Sequence, residues 1–369
     1  GLDAYRFSIS WPRVIPAGAG PTNPAGLDFY DRLVDELLRR DITPFVTLYH
    51  WDLPQALQDR DGWENPDSVG WFCDYATLMA ARLGDRVKHW ITHNELWVIA
   101  FLGNYTGEHA PGQRNLTAAY TVAHHLLLSH GAAVPAIRQN VPGAQVGITL
   151  NLDHVEPATE SEADRLAAHR HDGYLNRWFL DPLYGRFYPA DMLVDYVRSG
   201  VISSMEPDFI QPGDMQKIAV PTDFLGLNYY SRTVVHAGVD NSEAASLLNS
   251  QFSNESGKTD IGWEIYPQGL YETLCRMYFG YKPPEIIITE NGAAYSDGPD
   301  ETGAVRDRQR IEYLRSHITA AGRAIAPVLR AGRSGRTRDT APAAPRRAPG
   351  IRLREATRPT GTPTTPRPR

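Results

Sequence analysis

Short apolar runs alternate with longer helical segments along most of this chain. The short runs are rich in β-branched and aromatic residues, and the longer segments carry apolar residues at helical spacing. This alternation is typical of repeated βα units, which form a parallel sheet covered by helices. Six strands are predicted, near residues 5–10, 44–49, 89–92, 145–150, 224–228 and 285–289. Helices are predicted near residues 27–38, 71–83, 116–138, 164–179, 268–278 and 307–325.

Polar side chains cluster at the carboxyl ends of these strands. They are Arg6, His50, Asn94, Glu95, Asn151, Asn228, Tyr230 and Glu290. A (β/α)8 barrel collects its active-site residues at this rim, whereas an open doubly wound sheet binds ligands at one switch point. Because the polar residues are spread over all the predicted strands, the pattern favours a (β/α)8 TIM barrel of the α/β class.

Two of these polar positions are glutamates that follow apolar strand sequences. Residues 91–95 read Ile-Thr-His-Asn-Glu, and residues 287–292 read Ile-Ile-Thr-Glu-Asn-Gly. Cleavage of a glycosidic bond needs two carboxyl groups, one to protonate the leaving oxygen and one to stay ionised beside the sugar carbon. Taken alone, a glutamate at a strand end is more typical of a solvated carboxylate or a charge at a helix N-terminus. Together, Glu95 and Glu290 are candidates for the catalytic pair.

The sequence lacks the common signatures of cofactor and metal sites. No Gly-x-Gly-x-x-Gly follows a strand and no Walker-type phosphate loop occurs, so no nucleotide cofactor is expected. Four histidines lie in helical patterns without a His-Glu-x-x-His arrangement, and we interpret them as surface or helix-face residues rather than zinc ligands. They are His124, His125, His169 and His171. We therefore expect neither a cofactor nor a metal.

Cysteine content and hydropathy favour a cytoplasmic protein. Cys73 and Cys275 are too few for a disulfide framework, and their apolar surroundings predict buried free thiols in a reducing compartment. No apolar run reaches the roughly 18 residues of a membrane span. No secretory signal is visible at the start of the sequence. We therefore expect no membrane partner.

Charge divides the chain into two unlike regions. Residues 327–369 hold eleven Arg, no Lys, two acidic residues and eight Pro, for a charge of +9, whereas residues 1–326 carry −15. The tail has no aromatic residue and is predicted to be disordered. It could be a nucleic-acid or anionic-surface arm, a flexible appendage, or the product of GC-rich DNA translated in a shifted frame. We favour the shifted frame and expect no nucleic-acid partner, because an arm normally includes Lys and follows a finished domain.

Six segments of residues 1–326 resemble, in order, motifs of the retaining β-glucosidases of glycoside hydrolase family 1. The segments are YRFSISWPR at 5–13, YHWDLP at 49–54, Asn94-Glu95, GLNYYS at 226–231, GWEIYP at 262–267 and TENG at 289–292. The resemblance implies a (β/α)8 barrel in which Glu95 ends the fourth strand as general acid/base and Glu290 ends the seventh as nucleophile. It also implies a sugar subsite lined by Arg6, His50, Asn94, Asn228 and Tyr230, with Trp263 facing the leaving group.

The chemistry of a retaining mechanism agrees with these roles for the two glutamates. Arg6 beside Glu290 would keep the nucleophile ionised, because an opposite charge favours the charged form of a carboxyl group. Burial and repulsion from Glu290 would raise the proton affinity of Glu95, and esterification of Glu290 would lower it again. Glu95 could then act first as an acid and later as a base.

Three further residues offer contacts that suit a sugar. Asn94 could donate its amide to the 2-hydroxyl group, His50 offers a ring donor, and Trp51 offers an aromatic platform for the apolar face of a sugar. Taken singly, each of the site residues could instead be a strand-end or barrel-mouth residue with no substrate contact. It is their joint occurrence at strand ends that favours a binding role.

The chain departs from the family pattern in three places. Leu96 follows the acid/base glutamate where the family usually has Pro, and we expect only a local shift. The family's first strand, with a sugar-binding Gln, would precede Gly1, and its eighth, with a Trp and a Glu-Trp pair, would follow Ala326. We therefore predict an incomplete barrel domain at 1–326, holding strands 2–7, and a disordered tail at 327–369. The chain is expected to be truncated at its N-terminus and frame-shifted at its C-terminus.

The expected reaction is hydrolysis of terminal β-D-glucosyl residues by double displacement, in carbohydrate catabolism such as cellulose degradation. Its substrates would be small molecules, such as cellobiose or aryl and alkyl β-glucosides. The chain itself is expected to be poorly active, because a barrel with two missing strands has exposed edges. The alternatives are a 6-phospho-β-glucosidase, whose phosphate ligands would lie in the missing C-terminal part, and a non-catalytic sugar-binding fragment. The sequence predicts no particular oligomeric state.

Overall fold

The computed structural model describes residues 1–238, 257–334 and 350–351. All six predicted strands are present, within two residues of their predicted bounds. The main sheet contains β1 (Ala4–Ser8), β2 (Thr43–Tyr49), β3 (His89–Asn94), β4 (Gln145–Asn151), β6 (Phe224–Asn228), β8 (Glu285–Glu290) and β9 (Gly350–Ile351). A smaller sheet pairs β5 (His154–Pro157) with β7 (Arg232–Val235).

Every neighbouring pair in the main sheet is parallel, in the order β1-β2-β3-β4-β6-β8-β9. The sheet order therefore follows the chain order, which is the arrangement that successive βα units produce. Because the strands are parallel, their carboxyl ends lie along one edge of the sheet. β1 and β9 are the two end strands of the described sheet.

Helices connect successive strands of the main sheet. The α-helices span Trp11–Val14, Pro24–Arg39, Gln55–Gln58, Ser68–Leu83, Leu116–Asn140, Glu162–Asp172, Trp178–Leu183, Ala190–Arg198, Asp214–Ile218, Pro267–Arg276 and Arg308–Ser334. Three segments are π-helical, Val98–Thr106, Gly173–Arg177 and Met277–Tyr281, and Gly62–Glu64 forms one turn of 3-10 helix. None of these helices combines the length and apolar character needed to cross a bilayer.

The helix Ser68–Leu83 shows how the apolar pattern becomes a packed core. Phe72, Tyr75, Met79 and Leu83 recur at helical spacing, and all four are fully buried. Tyr75 stacks on Trp11 with ring centroids 4.7 Å apart. Burying a side chain of this size contributes about 1.5–3 kcal/mol. The helix therefore holds the segment after β1 against the core.

The C-terminal part of the described structure differs from the expected domain boundary. The last helix was predicted to end at residue 325 but continues to Ser334, eight residues into the predicted tail. The two-residue strand Gly350–Ile351 was not predicted, and it pairs with β8, whose edge groups can accept another strand. The rest of the predicted disordered tail, 335–349 and 352–369, lies outside the described residues.

One interpretation of individual residues needs correction: Cys73 and Cys275 are free but only half-buried. The four histidines lie on helices, His124, His125 and His171 with buried side chains and His169 with an exposed one. The buried His124 is held between the Tyr188 hydroxyl at 2.9 Å and an Asp214 carboxylate oxygen at 3.2 Å.

Candidate active site

The parallel register brings the predicted site residues to one edge of the main sheet. Arg6 lies in β1, and His50 and Trp51 follow β2. Asn94 ends β3 and is followed by Glu95, Asn228 ends β6, and Glu290 ends β8. Hydrogen bonds connect residues from all five of these strand regions. Residues separated by up to 284 positions in the sequence therefore share one site.

The Glu290 carboxylate is held by two different donors. Arg6 Nη1 donates to Oε1 at 2.6 Å, and the Tyr230 hydroxyl donates to Oε2 at 2.5 Å. Both contacts stabilise negative charge on the carboxylate, and charge-assisted hydrogen bonds of this kind are stronger than neutral ones. The side chain is one-quarter exposed, so it can still be reached from the rim.

Arg6 connects Glu290 to the neighbouring strands. Its Nη2 donates to Asn94 Oδ1 at 2.6 Å, and its Nε donates to Thr47 Oγ1 at 3.0 Å. These contacts use three separate guanidinium nitrogens, and the planar group fixes the angles between them. Arg6 therefore sets the position of the Glu290 carboxylate relative to β2 and β3.

Glu95 has a different environment from Glu290. It is only 6% exposed, and its Oε1 accepts a hydrogen bond from Asn228 Nδ2 at 2.7 Å. Burial, together with the negative charge of Glu290, raises the pKa of Glu95 to about 7, against the opposing effects of Asn228 and Arg6. A carboxyl group with this pKa can carry a proton near neutral pH.

The backbone at Glu95 is in the left-handed region, with a φ of 54°. This conformation is uncommon for a residue with a side chain, and it is found at functional sites where the surroundings hold it in place. Here the Glu95 amide donates to the Thr149 carbonyl oxygen of β4 at 2.9 Å. The irregular turn at the end of β3 thereby directs the Glu95 carboxyl toward Asn228.

Asn228 connects the two halves of the site. Its Nδ2 also donates to Asn94 Oδ1 at 3.1 Å, and its Oδ1 accepts from Thr289 Oγ1 at 2.7 Å. The side chain is 1% exposed, and its amide contacts Glu95 on one strand and the residue before Glu290 on another. These three contacts hold the Asn228 amide in one orientation, in which it binds both Glu95 and the residue before Glu290.

His50, Trp51 and Asn94 form a second group beside Arg6. Asn94 Nδ2 lies 3.3 Å from His50 Nε2, and Trp51 Nε1 donates to the Asn94 carbonyl oxygen at 3.0 Å. The rings of His50 and Trp51 are 5.0 Å apart. Burial lowers the pKa of His50, with Arg6 acting in the same direction and Glu290 against it. The ring is therefore neutral near pH 7.

Trp263 lies on the rim of the site, on the segment that precedes the helix Pro267–Arg276. Its ring centroid is 5.2 Å from that of Tyr230, the residue that donates to Glu290. The side chain is 38% exposed. An exposed indole beside the residue that binds Glu290 is suited to contact a group leaving the site.

Comparison with known proteins places this site in a family. The family model described as glycosyl hydrolase family 1 matches residues 1–330. The chain belongs to glycosyl hydrolase family 1. The predicted resemblance is therefore confirmed, and the chain is an enzyme of the glycosyl hydrolase class.

Relatives and solved structures agree with this family. The chain is 43% identical to a 1,4-beta-D-glucan glucohydrolase of Thermotoga neapolitana, over 88% of this chain and 74% of that protein. It is also 43% identical to beta-glucosidase A of Thermotoga maritima, over 88% of this chain and 71% of that protein. A solved family 1 β-glucosidase from Thermotoga maritima superposes with a TM-score of 0.82 at 43% identity, covering 89% of this chain and 71% of that one. The predicted fold class, the (β/α)8 barrel, is confirmed.

Two contacts of this family 1 site were missed in the sequence. Thr47 is fully buried in β2 and accepts from Arg6, and Thr289 donates to Asn228 from β8. A polar residue within an otherwise apolar strand was the signal that could have identified both. Each threonine orients a residue that contacts one of the glutamates.

The arrangement supplies the parts that a glycosyl hydrolase needs for two-carboxylate chemistry. One carboxylate is held by a cation and a hydroxyl, and the other is buried with a raised pKa. Two carboxyl groups whose environments differ in this way are suited to distinct roles as nucleophile and acid. Within the described residues, no group of three or more His, Cys, Asp or Glu side chains is placed to hold a metal ion.

Proposed function

We propose that this chain is a retaining β-glucosidase that hydrolyses terminal β-D-glucosyl residues by double displacement. The observation that carries the proposal is the contrast between Glu290, bound by Arg6 and Tyr230, and the buried Glu95. The names of the Thermotoga relatives support a glucoside as the substrate.

In the first step, a Glu290 oxygen attacks the anomeric carbon of the glucosyl unit. The bond from that carbon to the leaving oxygen breaks, its electron pair goes to the leaving oxygen, and Glu95 gives that oxygen a proton. The products are a glucosyl ester on Glu290, a free alcohol and an ionised Glu95. Arg6 and Tyr230 hold Glu290 in position for the attack.

In the second step, water breaks the ester. The water oxygen bonds to the anomeric carbon while Glu95 accepts a proton from that water. The bond between the anomeric carbon and Glu290 breaks, and Glu290 leaves as a carboxylate. Esterification removes the negative charge of Glu290, which contributes to the raised pKa of Glu95. The pKa of Glu95 therefore falls while the ester is present, which lets the same group serve as base.

The remaining side chains are assigned to substrate contacts. Asn94 and His50 lie together at the end of β2 and β3 and can bind sugar hydroxyl groups, and Trp51 offers its ring face beside them. Asn228 orients Glu95, and Trp263 faces the leaving group. These polar contacts fix the orientation of the sugar above Glu290.

We further propose small β-glucosides such as cellobiose as substrates, in the cytoplasmic catabolism of carbohydrates from cellulose. The two free cysteines fit a reducing compartment. The proposal requires no cofactor, because the two carboxyl groups carry the whole reaction.

Covalent labelling tests the proposal on the chain as it stands. A 2-deoxy-2-fluoro-β-D-glucoside with a dinitrophenyl leaving group forms the same ester, and its fluorine slows the breakdown of that ester. Peptide mass spectrometry should find one fluoroglucosyl group on Glu290 after prolonged incubation, and none in Glu290→Gln. Because a single slow turnover is enough, the test works even at low activity. Labelling of another residue, or no labelling of a folded protein, would overturn the assignment.

A further inference from the structure

Two short segments lie side by side at the rim of the site. Three successive residues, 230–232, contact residues 263 and 264 on the segment that leads to the helix Pro267–Arg276. The ring of Tyr230 packs against that of Trp263, and Ser231 Oγ donates to the Glu264 carbonyl oxygen at 3.0 Å. The third contact is an ion pair between Arg232 and Glu264. The ring pair and the ion pair are therefore neighbours along both segments.

The ion pair is bidentate and shielded from water. Arg232 Nε donates to Glu264 Oε2 at 2.8 Å, and Nη2 donates to Oε1 at 3.0 Å. The Glu264 side chain is 2% exposed and that of Arg232 is 16% exposed. Such a pair fixes both distance and angle, because two parallel hydrogen bonds join two planar groups.

Neighbouring residues hold Arg232 in turn. Its Nη1 donates to Glu156 Oε2 of β5 at 2.5 Å, and its guanidinium group lies 3.9 Å from the centroid of the Tyr266 ring. The Tyr266 hydroxyl also donates to Glu156, at 3.1 Å. The ion pair is therefore held by the smaller sheet, because Arg232 belongs to β7 and contacts Glu156 of β5.

The Trp263 backbone is held by a turn in which the Trp263 amide donates to Thr259 Oγ1 at 3.2 Å and the Gly262 amide donates to the Thr259 carbonyl oxygen at 2.9 Å. A further contact of this turn, from the Asp260 amide to the Ala294 carbonyl oxygen at 3.0 Å, joins it to residue 294 rather than to residues 230–232. Among the described contacts, Ser231 binds the backbone of Glu264 and Arg232 binds its side chain, and these join the segment to the residues beside Tyr230.

We propose that Arg232 and Glu264 are positioning residues that fix the Trp263 ring beside Tyr230 and thereby favour leaving groups that contain a ring. The inference rests on the proposed function, because it assumes that a glucoside binds with its leaving group toward Trp263. Arg232 itself acts through Trp263 and has no contact with Glu290 or Glu95 among those described.

Two labelling reagents separate this effect from the chemistry. Dinitrophenyl 2-deoxy-2-fluoro-β-D-glucoside has a leaving group that can contact an indole, whereas 2-deoxy-2-fluoro-β-D-glucosyl fluoride loses only a fluoride ion. Arg232→Gln should label about fivefold more slowly with the aryl reagent, the size expected for loss of one aromatic contact, and at an unchanged rate with the fluoride reagent. Arg232→Lys keeps the charge but not the two parallel hydrogen bonds. Its labelling rate with the aryl reagent should therefore lie between those of wild type and Arg232→Gln.

Arg276→Gln is the matched control. Arg276 also forms a bidentate ion pair, with Asp172, but among the described contacts it has none with Trp263, Glu264 or Tyr230. In this variant, the ratio of the labelling rate with the aryl reagent to that with the fluoride reagent should equal the wild-type ratio. The positioning role would be overturned if the ratio of the two labelling rates were the same in Arg232→Gln as in Arg276→Gln. It would also be overturned if Arg232→Gln slowed labelling by both reagents equally.

A second measurement needs no labelling. The indole N–H resonance of Trp263 can be assigned by its absence from the spectrum of Trp263→Phe. It should shift in Arg232→Gln and in Glu264→Gln and stay in place in Arg276→Gln. An unmoved resonance in both of the first two variants would overturn the inference even if Glu290 is labelled. A failure of wild type to label with either reagent would instead overturn the proposed function, while the resonance still tests the position of the ring.

Discussion

Arg6 Nη1 lies 2.6 Å from Glu290 Oε1, although the two residues are 284 positions apart in the sequence. Arg6 belongs to β1, an end strand of the described sheet, and Glu290 ends β8. The contact therefore reaches between strands that are not neighbours in the sheet order. The sheet must curl for these strands to approach each other, as it does in a barrel.

Replacing Arg6 should impair formation of the glucosyl ester. Arg6→Met removes the charged donor to Glu290 and the contact with Asn94, and a hydrogen bond to a charged group contributes about 1.5–3 kcal/mol. We expect the rate of Glu290 labelling to fall by about 10- to 100-fold. Arg39→Met, at an exposed helical position, is the control and should label like wild type. An unchanged rate in Arg6→Met would show that the contact does not assist the reaction.

Replacing Glu95 should separate substrates by their leaving groups. Glu95→Gln cannot donate a proton, so hydrolysis of cellobiose should be lost far more completely than the first step with dinitrophenyl β-glucoside, whose leaving group needs no proton. Added azide should restore turnover of the aryl substrate, because it attacks the ester without a base. The product to look for by chromatography is β-glucosyl azide. Equal losses on both substrates without rescue would remove Glu95 as acid/base.

The rate should depend on pH through Glu95. Burial and the charge of Glu290 raise the pKa of Glu95 to about 7, so the protonated acid predominates below that pH and is lost above it. For substrates with poor leaving groups, kcat/KM should therefore fall as the pH rises through about 7. The labelling rate with the fluoride reagent needs no general acid and should lack this fall. A profile for cellobiose that stays flat between pH 6 and 8, a range of about one unit on either side of that pKa, would contradict the assignment.

Buried histidines should destabilise the protein in mild acid. Burial lowers the pKa of His130 to about 3 and that of His171 to about 4, both below the value of about 6.5 in an unfolded chain. As the pH falls from 6.5 toward 4, protons bind the unfolded state first, and each histidine lowers the free energy of unfolding by up to about 1.4 kcal/mol per pH unit. Glu95 acts in the opposite direction, because its pKa is raised in the folded state.

Urea unfolding at several pH values measures this loss. His130→Met should reduce the slope of unfolding free energy against pH by about 1.4 kcal/mol per unit between pH 6 and 4.5. Equal slopes in His130→Met and wild type would show that His130 does not titrate as its burial requires.

The 369-residue chain is expected to turn over β-glucosides slowly. A barrel closes only when each strand has two neighbours, and the described sheet ends at β1 and at the two-residue β9. Open edges weaken the packing around the site and the binding contacts that lower the barrier, so kcat/KM should lie orders of magnitude below that of the Thermotoga maritima β-glucosidase. Parallel assays on 4-nitrophenyl β-D-glucoside, together with thermal melts, test this. Comparable turnover with a cooperative melt would refute it.

Much of the fold could be predicted because its signals are local. The strands β2 and β6 are apolar runs that are buried almost throughout, and such runs are recognisable by composition alone. The start of the helix after β8 was predicted to within one residue. Its end was not, because the helix continues to Ser334 and not to residue 325 as predicted. The strand β9 was missed, because a two-residue strand has no periodicity and forms only by pairing with an existing edge.

The amino-acid sequence by itself determined the order of the βα units and the placement of Glu95 and Glu290 at strand ends. Both follow from residue type and spacing, which need no knowledge of distant contacts. The chemistry expected of a retaining mechanism already placed Arg6 beside Glu290 and raised the proton affinity of Glu95, and the structure shows both. Only the tertiary structure decided that Tyr230 donates to Glu290 and that Asn228 donates to Glu95. The physical reason is that hydrogen-bond partners and desolvation depend on which strands pack together and in what register. Those relations arise between residues far apart in the chain, where sequence spacing carries no information about distance.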